Sequence, residues 1–396
     1  MTTHDPIVIV GAARTPMGGF QGELKDMTAA ELGSAAIAAA LGRAGVAAGD
    51  VEELIFGNVL PAGQGQAPAR QASKGAGIPD ATGCTTINKM CGSGMKATML
   101  AHDLLKAGTA DIMVSGGMES MTNAPYLLPK ARGGMRLGHG QVVDHMFMDG
   151  LEDAYDRGRL MGTFAEETAT HYQFTREAQD GFAIESLTRA QKAQQDGTFA
   201  EEIVPVTVKT RKGEVEVALD EQPRTANPAK IPTLKPAFAK DGTVTPANSS
   251  SISDGAAALV LMRLSDAEKR GLTPIAEIVS HATHAQAPAW FTTAPVDAMR
   301  KCLEKADWDA TSVDLFEVNE AFAVVTMAAM RELDLPHDKV NVHGGACALG
   351  HPIGASGARI LVTLLNALRK YDMETGVASL CIGGGEATAM AVKRIH

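Results

Sequence analysis

Cys91 stands between Thr85-Thr86-Ile87-Asn88-Lys89-Met90, a strand-like run, and Gly92-Ser93-Gly94-Met95-Lys96-Ala97, which opens a helix. A thiol at a helix amino terminus meets the positive end of the macrodipole and unpaired backbone N–H groups, which lower its pKa and favour the thiolate. Gly92 and Gly94 leave room for a carbonyl to approach the backbone. A lone cysteine is more often an inert core residue, so a nucleophile needs partners. Ser93 and Lys96 also spell Ser-x-x-Lys, a serine-nucleophile pattern common by chance.

Three other segments offer those partners. Asn341-Val342-His343-Gly344-Gly345-Ala346-Cys347-Ala348-Leu349-Gly350-His351-Pro352 is glycine-rich, and Pro352 halts any incoming helix, so His351 is presented from a turn. Zinc is the rival there, because His343, Cys347 and His351 recur every fourth residue; the glycines and Pro352 argue against the helix that would align them. Cys381-Ile382-Gly383-Gly384-Gly385 ends a buried-looking strand in a glycine run, either a tight turn with a core cysteine or a second thiol beside backbone N–H donors. Asn319 sits where the strand 315–318 passes into a helix, and it could simply cap that helix.

The elements that must position these residues follow from the apolar pattern. Strands are predicted at 7–10, 54–56, 85–90 and 112–115, with helices at 29–44 and 92–106. Their alternation implies a mainly parallel sheet covered by helices. From about 121 to 247 prolines, glycines and polar helices such as 176–195 mark an excursion, read as a lid or binding region. A strand at 256–262 returns to the α/β style. Strand 275–279, helix 296–305, strand 315–318, helices 321–333 and 357–371, and strands 377–381 and 387–392 complete the chain. Two echoes join the halves: Ser93-Gly94-Met95-Lys96 with Ser356-Gly357-Ala358-Arg359, and Ser115-Gly116-Gly117-Met118-Glu119 with Ile382-Gly383-Gly384-Gly385-Glu386. Two echoes in one order favour a duplicated domain, with chemistry between its halves.

Composition narrows the class. The chain has 396 residues, 45% apolar and 21% charged, the profile of a globular α/β protein. No run of about 18 apolar residues could span a membrane, and Met1 to Pro6 does not read as a secretory leader, so a cytoplasmic protein is expected. Five scattered cysteines read as thiols, not disulfides. The net charge of −10 argues against nucleic-acid binding, although 208–240 carries a local +3, either a solvated hairpin and loop or an anion-binding patch.

Together these segments resemble the thiolase family over essentially the whole chain, from Ile9-Val10-Gly11-Ala12-Ala13-Arg14-Thr15-Pro16 through 88–97, 319–323, 344–359 and 381–385. The resemblance implies a five-layered αβαβα fold of two similar halves: residues 1–120 with 248–272, a loop domain inserted at 121–247 that binds coenzyme A, and 273–396. It implies a homotetramer or homodimer. The implied reaction is a ping-pong Claisen condensation of two acetyl-CoA to acetoacetyl-CoA and coenzyme A, reversible as thiolysis. Catalytic roles fall to Cys91 as nucleophile, His351 as its base, Cys381 as α-proton acceptor, Asn319 through a held water, and Gly383 as an oxyanion donor. Coenzyme A thioesters are substrates, and no cofactor or metal is expected.

Weaker matches place Ser250 at the pantetheine arm, Arg224 near the nucleotide phosphates, and Met161 and Phe322 at the acyl pocket. Leu160 stands where many short-chain members have His, and His343 and Cys347 where many have Asn and Ile. Rival readings are a degradative thiolase of longer 3-ketoacyl-CoAs, a silent acyl-CoA-binding scaffold, and a decarboxylating ketosynthase. The retained Cys91, His351, Cys381 and Asn319 oppose the scaffold. Ketosynthases typically pair their nucleophile with two histidines, and here Cys381 takes that place.

Overall fold

A computed structural model describes residues 5–396. The first half contains β1 (Ile7–Arg14), β2 (Gly18–Gly19), α1 (Ala29–Ala44), β3 (Glu53–Gly57), α2 (Pro68–Gly75), β4 (Gly83–Ile87), α3 (Ser93–Lys106) and β5 (Ile112–Ser120). An excursion follows, with the short pair β6 (Tyr126–Leu127) and β7 (Val143–Asp144), helices α4 (Met161–Tyr172) and α5 (Arg176–Gln195), the hairpin β8 (Val206–Thr210) and β9 (Gly213–Val217), and α6 (Glu221–Thr225). β10 (Ser253–Arg263) and α7 (Leu264–Lys269) return to the first half. The rest is β11 (Ala276–Ala285), α8 (Ala294–Ala306), β12 (Leu315–Val318), α9 (Ala323–Glu332), α10 (Ala346–Leu349), α11 (Ser356–Lys370), β13 (Thr375–Ile382) and β14 (Glu386–Arg394).

Local chemistry sets these boundaries. Thr28 caps α1 in a reciprocal box with Glu31, and Gly45 ends the helix at φ +67, a conformation costly for other residues. The face so formed buries Leu32, Ala36, Ile37, Ala40 and Leu41 against the sheet.

The main sheet runs β12-β13-β14-β11-β1-β10-β5-β3-β4. Its two halves pair over Val8↔Glu277 and Ile9↔Ala276. The expected mainly parallel sheet is corrected: β3–β4, β3–β5 and β12–β13 are parallel, whereas β1–β10, β10–β5, β11–β14 and β13–β14 are antiparallel. Two features reverse direction. β10 re-enters after the excursion and wedges between β1 and β5, and Gly383–Gly385 folds β13 straight back as β14.

The middle layer is α3 against α11. A Cβ on Gly94 would lie 2.8 Å from the Ala358 nitrogen, and one on Gly357 only 2.4 Å from that of Met95. The echoed Ser-Gly pairs are therefore where the two helices cross backbone to backbone. Around this crossing Met95, Met99 and Leu105 share a buried core with Ile360, Leu361, Leu364, Leu365 and Leu368. Outside it α1 and α2 cover the first half-sheet, and α8 covers β11 and β14, completing five layers.

A buried ion triad pins the excursion to β1. Arg14 donates to both carboxylate oxygens of Asp220 at 2.7 and 2.9 Å and to Glu202 at 2.6 Å, with all three side chains enclosed. Asp220→Ala would leave Arg14 paired with Glu202 alone and the buried Met17 N–H without its acceptor, so it should destabilise by about 1–3 kcal/mol. The melting temperature and denaturant midpoint check this; unchanged values would mean that the triad holds nothing. The 208–240 segment begins as the β8–β9 hairpin, whose charged side chains face solvent.

Candidate active site

Past β4 the chain makes a tight left-handed step at Met90, φ +47. Asn88 Oδ1 accepts the Met90 N–H at 2.9 Å. The Ser93 hydroxyl donates to the Met90 carbonyl at 2.6 Å and accepts from Lys89 N–H at 2.8 Å. Ser93 is thus fully buried and occupied as a turn brace, which disposes of the serine-nucleophile reading. The turn leaves Cys91 half-buried, directly before the Gly92 cap of α3.

Gly92 also lets a second loop approach: a Cβ there would fall 2.4 Å from Ile382 Cδ1. An ion pair between Lys89 and Glu386 ties the same two loops. Cys381, at the end of β13 and 1% exposed, comes close enough that a charge on Cys91 raises its pKa, on top of a larger rise from burial. It belongs to a buried cluster with Phe164, Phe291 and Phe322, against which Met161 packs.

The expected lowering of the Cys91 pKa is corrected. Burial pushes it up to about 11, and the backbone N–H groups of Gly383 and of Cys91 itself, directed at the thiol, recover only part of the rise. The resting group is a thiol, so the helix terminus alone does not ionise it and a base is required.

His351 can be that base. It follows Gly350, whose φ of +99 only glycine adopts easily and whose Cβ would meet Ser253 Oγ at 2.0 Å. Its Nδ1 lies 2.5 Å from Ser356 Oγ, and that hydroxyl donates onward to the Pro352 carbonyl at 2.9 Å. Because the serine hydrogen is already committed, Nδ1–H must be the donor, which leaves the lone pair on Nε2. Nε2 is buried with no partner. Burial, and secondarily Arg359, lower the pKa to about 3, so the ring is neutral.

Asn319 does not cap α9; the cap residue is Phe322. Its backbone N–H donates to the Ser379 carbonyl at 3.0 Å, and both polar atoms of its amide are buried without a partner. That pair of free groups fits a bound water. Residues 249–251 draw it toward His351: Ser249 bridges to Phe322, Ser250 N–H and Oγ donate to the Ala321 carbonyl at 2.9 and 3.0 Å, and Ser251 O accepts from His351 N–H at 3.1 Å.

The other expected site residues divide. Met161 opens α4, and its sulfur lies 3.5 Å from where a side chain on Gly383 would begin. Phe238 covers Gly162 and meets Phe322 edge-on, a wall that the sequence reading missed. Arg224 is not drawn in: it pairs with Glu23 and lines a separate groove of about 570 Å³ between residues 21–26 and the β8–β9 hairpin. Two buried carboxylates were also missed. Glu320 accepts from Ser186, Asn341 and the Cys347 N–H, bracing the 341–347 segment, and Glu119 is taken up below.

The zinc arrangement does not form. α10 spans only Ala346–Leu349, His343 packs between Phe199 and Tyr371, and Cys347 packs on Phe182 and Ala323. Among the described residues, the one group spaced for a metal is His102, Asp103 and His281. There Asp103 Oδ1 lies 3.0 and 2.9 Å from the two ring nitrogens, so hydrogen bonds to one carboxylate satisfy both rings, with Lys106 and Lys305 opposing a cation.

Comparison with known proteins bears on the family and the fold. Residues 7–265 match the family model described as thiolase, N-terminal domain, and 272–394 match thiolase, C-terminal domain. The Arabidopsis thaliana protein named acetyl-CoA acetyltransferase 1 is 52% identical over 391 residues, covering 98% of this chain and 94% of the relative. Acetyl-CoA acetyltransferase of Cupriavidus necator is 50% identical, covering 98% and 99%. The crystal structure of the Bacillus anthracis acetyl-CoA acetyltransferase superposes with a TM-score of 0.96 at 41% identity over 100% of both chains. On the family models, the relatives and the shared architecture, the chain belongs to the thiolase family.

Proposed function

We propose that this chain is an acetyl-CoA acetyltransferase, joining two acetyl-CoA into acetoacetyl-CoA and coenzyme A and running the reverse thiolysis. The observations that carry the reading are two neighbouring thiols with two backbone N–H donors directed at Cys91, and the packing of Cys91 on Ile353, two residues beyond a His351 whose Nε2 has no partner.

The Cys91 proton passes to His351 Nε2 as sulfur attacks the thioester carbonyl, and the N–H groups of Cys91 and Gly383 receive the oxyanion. The tetrahedral adduct collapses to acetyl-Cys91. The departing coenzyme A sulfur takes its proton from Cys381, leaving a Cys381 thiolate beside a protonated His351. A second acetyl-CoA then loses an α-proton to Cys381. His351 Nε2–H and a water on Asn319 stabilise the enolate oxygen, and the enolate carbon attacks the acetyl group. The expelled Cys91 thiolate recovers the proton from His351, so both thiols and the ring end as they began. The thioester is already activated, so no cofactor or metal enters.

Ser250 is assigned to the pantetheine arm; its hydroxyl rests on the Ala321 carbonyl at 3.0 Å. Arg224 is assigned to the nucleotide phosphates only if binding breaks its pairing with Glu23. The 121–247 excursion, with 1–120 plus 248–272 and 273–396 as the two halves, would then supply the coenzyme A face. A homodimer or homotetramer is supported by the one-sided edge strand β4 and by exposed Tyr126, Leu128, Leu137 and Val142. Five unpaired thiols suit a reducing cytoplasm. No helix among the described residues is long and apolar enough to cross a membrane.

Met161, Phe238, Phe291 and Phe322 pack into one cluster with Cys381, and we read this cluster as the wall of a short acyl pocket. Each added methylene should therefore cost about 1–3 kcal/mol of transition-state binding, with acetoacetyl-CoA cleaved best and a graded decline along the series. Thiolysis rates over 3-ketoacyl-CoAs of increasing length test this. A higher kcat/KM on medium-chain substrates would point to a degradative enzyme instead.

A further inference from the structure

We propose that Glu119 is a positioning residue for this reaction, its carboxylate holding the turn that carries His351 against the wall behind Cys91. The inference rests on the reaction proposed above.

Glu119 lies near the end of β5, wholly buried. Among the described residues no cationic side chain bonds to it. Instead it accepts four hydrogen bonds: Oε1 from Asn58 Nδ2 at 2.7 Å and Leu60 N–H at 3.1 Å, and Oε2 from the N–H groups of Val59 and Gly354, each at 2.9 Å. Three donors belong to the loop after β3; the fourth lies three residues beyond His351. These are the segments that back the nucleophile, since Val59, Leu60 and Ile353 form one buried cluster on which Met90 and Cys91 pack. The fit is tight, because a Cβ on Gly354 would fall 2.5 Å from Oε2.

Burying a carboxylate without a cation is costly, and burial pushes its pKa up to about 7 despite all four bonds. A packing role would be served by an apolar side chain. What only a carboxylate supplies is acceptance at every site with no donor of its own, so that four N–H groups from two loops converge on one rigid group. Rotation of either loop would carry His351 or the Cys91 wall out of line, and a misplacement of about 1 Å costs on the order of 10²-fold in rate.

Two variants test this. Glu119→Asp keeps the charge but is too short to reach both loops, and Glu119→Gln keeps the reach but turns a donor toward an N–H. Functional sites are counted by iodoacetamide labelling of Cys91, and kcat and KM for acetoacetyl-CoA thiolysis are expressed per labelled site. For both variants kcat per site should fall about 10²-fold with KM within about twofold of wild type. If kcat per labelled site stays within twofold, whatever happens to melting temperature or labelled fraction, the carboxylate is structural only and the proposal fails. Should neither variant fold, Asn58→Ala removes one donor and leaves the carboxylate in place. A lower kcat per site at constant KM supports the proposal, and an unchanged kcat overturns it. Because labelling of Cys91 needs no thioester, a wild-type protein that labels but does not turn over would sink the reaction itself, separately from the role of Glu119.

Discussion

After brief exposure to acetyl-CoA, intact-mass analysis should find one acetyl group per chain, and peptide mapping should place it on Cys91. Both thiols are held above their ordinary pKa by burial, so acidity alone does not choose between them. Access and partners do. Cys91 is half-buried, with the N–H groups of Gly383 and Cys91 directed at its sulfur, where an attacked carbonyl would place its oxygen. Cys381 is 1% exposed in a buried apolar cluster with Phe164, Phe291 and Phe322, a place from which it can move a proton to or from a carbon laid against it. Cys381→Ser is nearly isosteric and should still be acetylated on Cys91. Its carbon–carbon bond formation should fall by about 10²–10⁴, the contribution of one acid–base group. Cys91→Ser should lose the label. Acetyl found chiefly on Cys381 would reverse the two roles.

How far such roles could be read without coordinates depended on the range of the interaction. α1 was legible to the residue because its signals are local: Thr28 and Glu31 at one end, Gly45 at the other. α5 likewise starts at Thr175. α2 was not foreseen; its cap, Ala67, has no side-chain acceptor and takes φ +49, which only the fold imposes. The sheet was misread as mainly parallel because strand–helix alternation cannot tell that β10 threads between β1 and β5 after some 130 residues of excursion.

The same distinction governs the site. Cys91, His351, Cys381 and Asn319 stand in short segments whose glycines and turn residues are visible in one dimension. Glu119 and Glu320 are invisible there, since their donors come from positions such as Leu60 and Gly354, or Ser186 and Cys347. Arg224 was placed by position alone, and Glu23, some 200 residues earlier, claims it. A helix amino terminus favours the thiolate at an exposed position, but at Cys91 desolvation is the larger effect.

His351→Ala should lower both half-reactions, and this separates it from Cys381. The wild-type ring is held by the Ser356 hydroxyl with its lone pair on Nε2, so it can take the Cys91 proton and later offer that proton to the enolate oxygen. Removing it should slow acetylation and overall turnover by about 10²–10⁴ each. A structural histidine would predict the opposite pattern, normal self-acetylation in a less stable protein. Acid supplies an independent check. The folded pKa of His351 is lowered from 6.5 to about 3, so the unfolded chain binds the extra proton first. The stability tied to this ring is therefore complete above pH 6.5 and drains away as pH falls toward 3. His351→Ala removes that linkage, and its melting temperature should decline less steeply than wild type between those limits. Rapid acetylation of the variant would show that the ring is not the base, and parallel acid profiles that it is not buried as a neutral group.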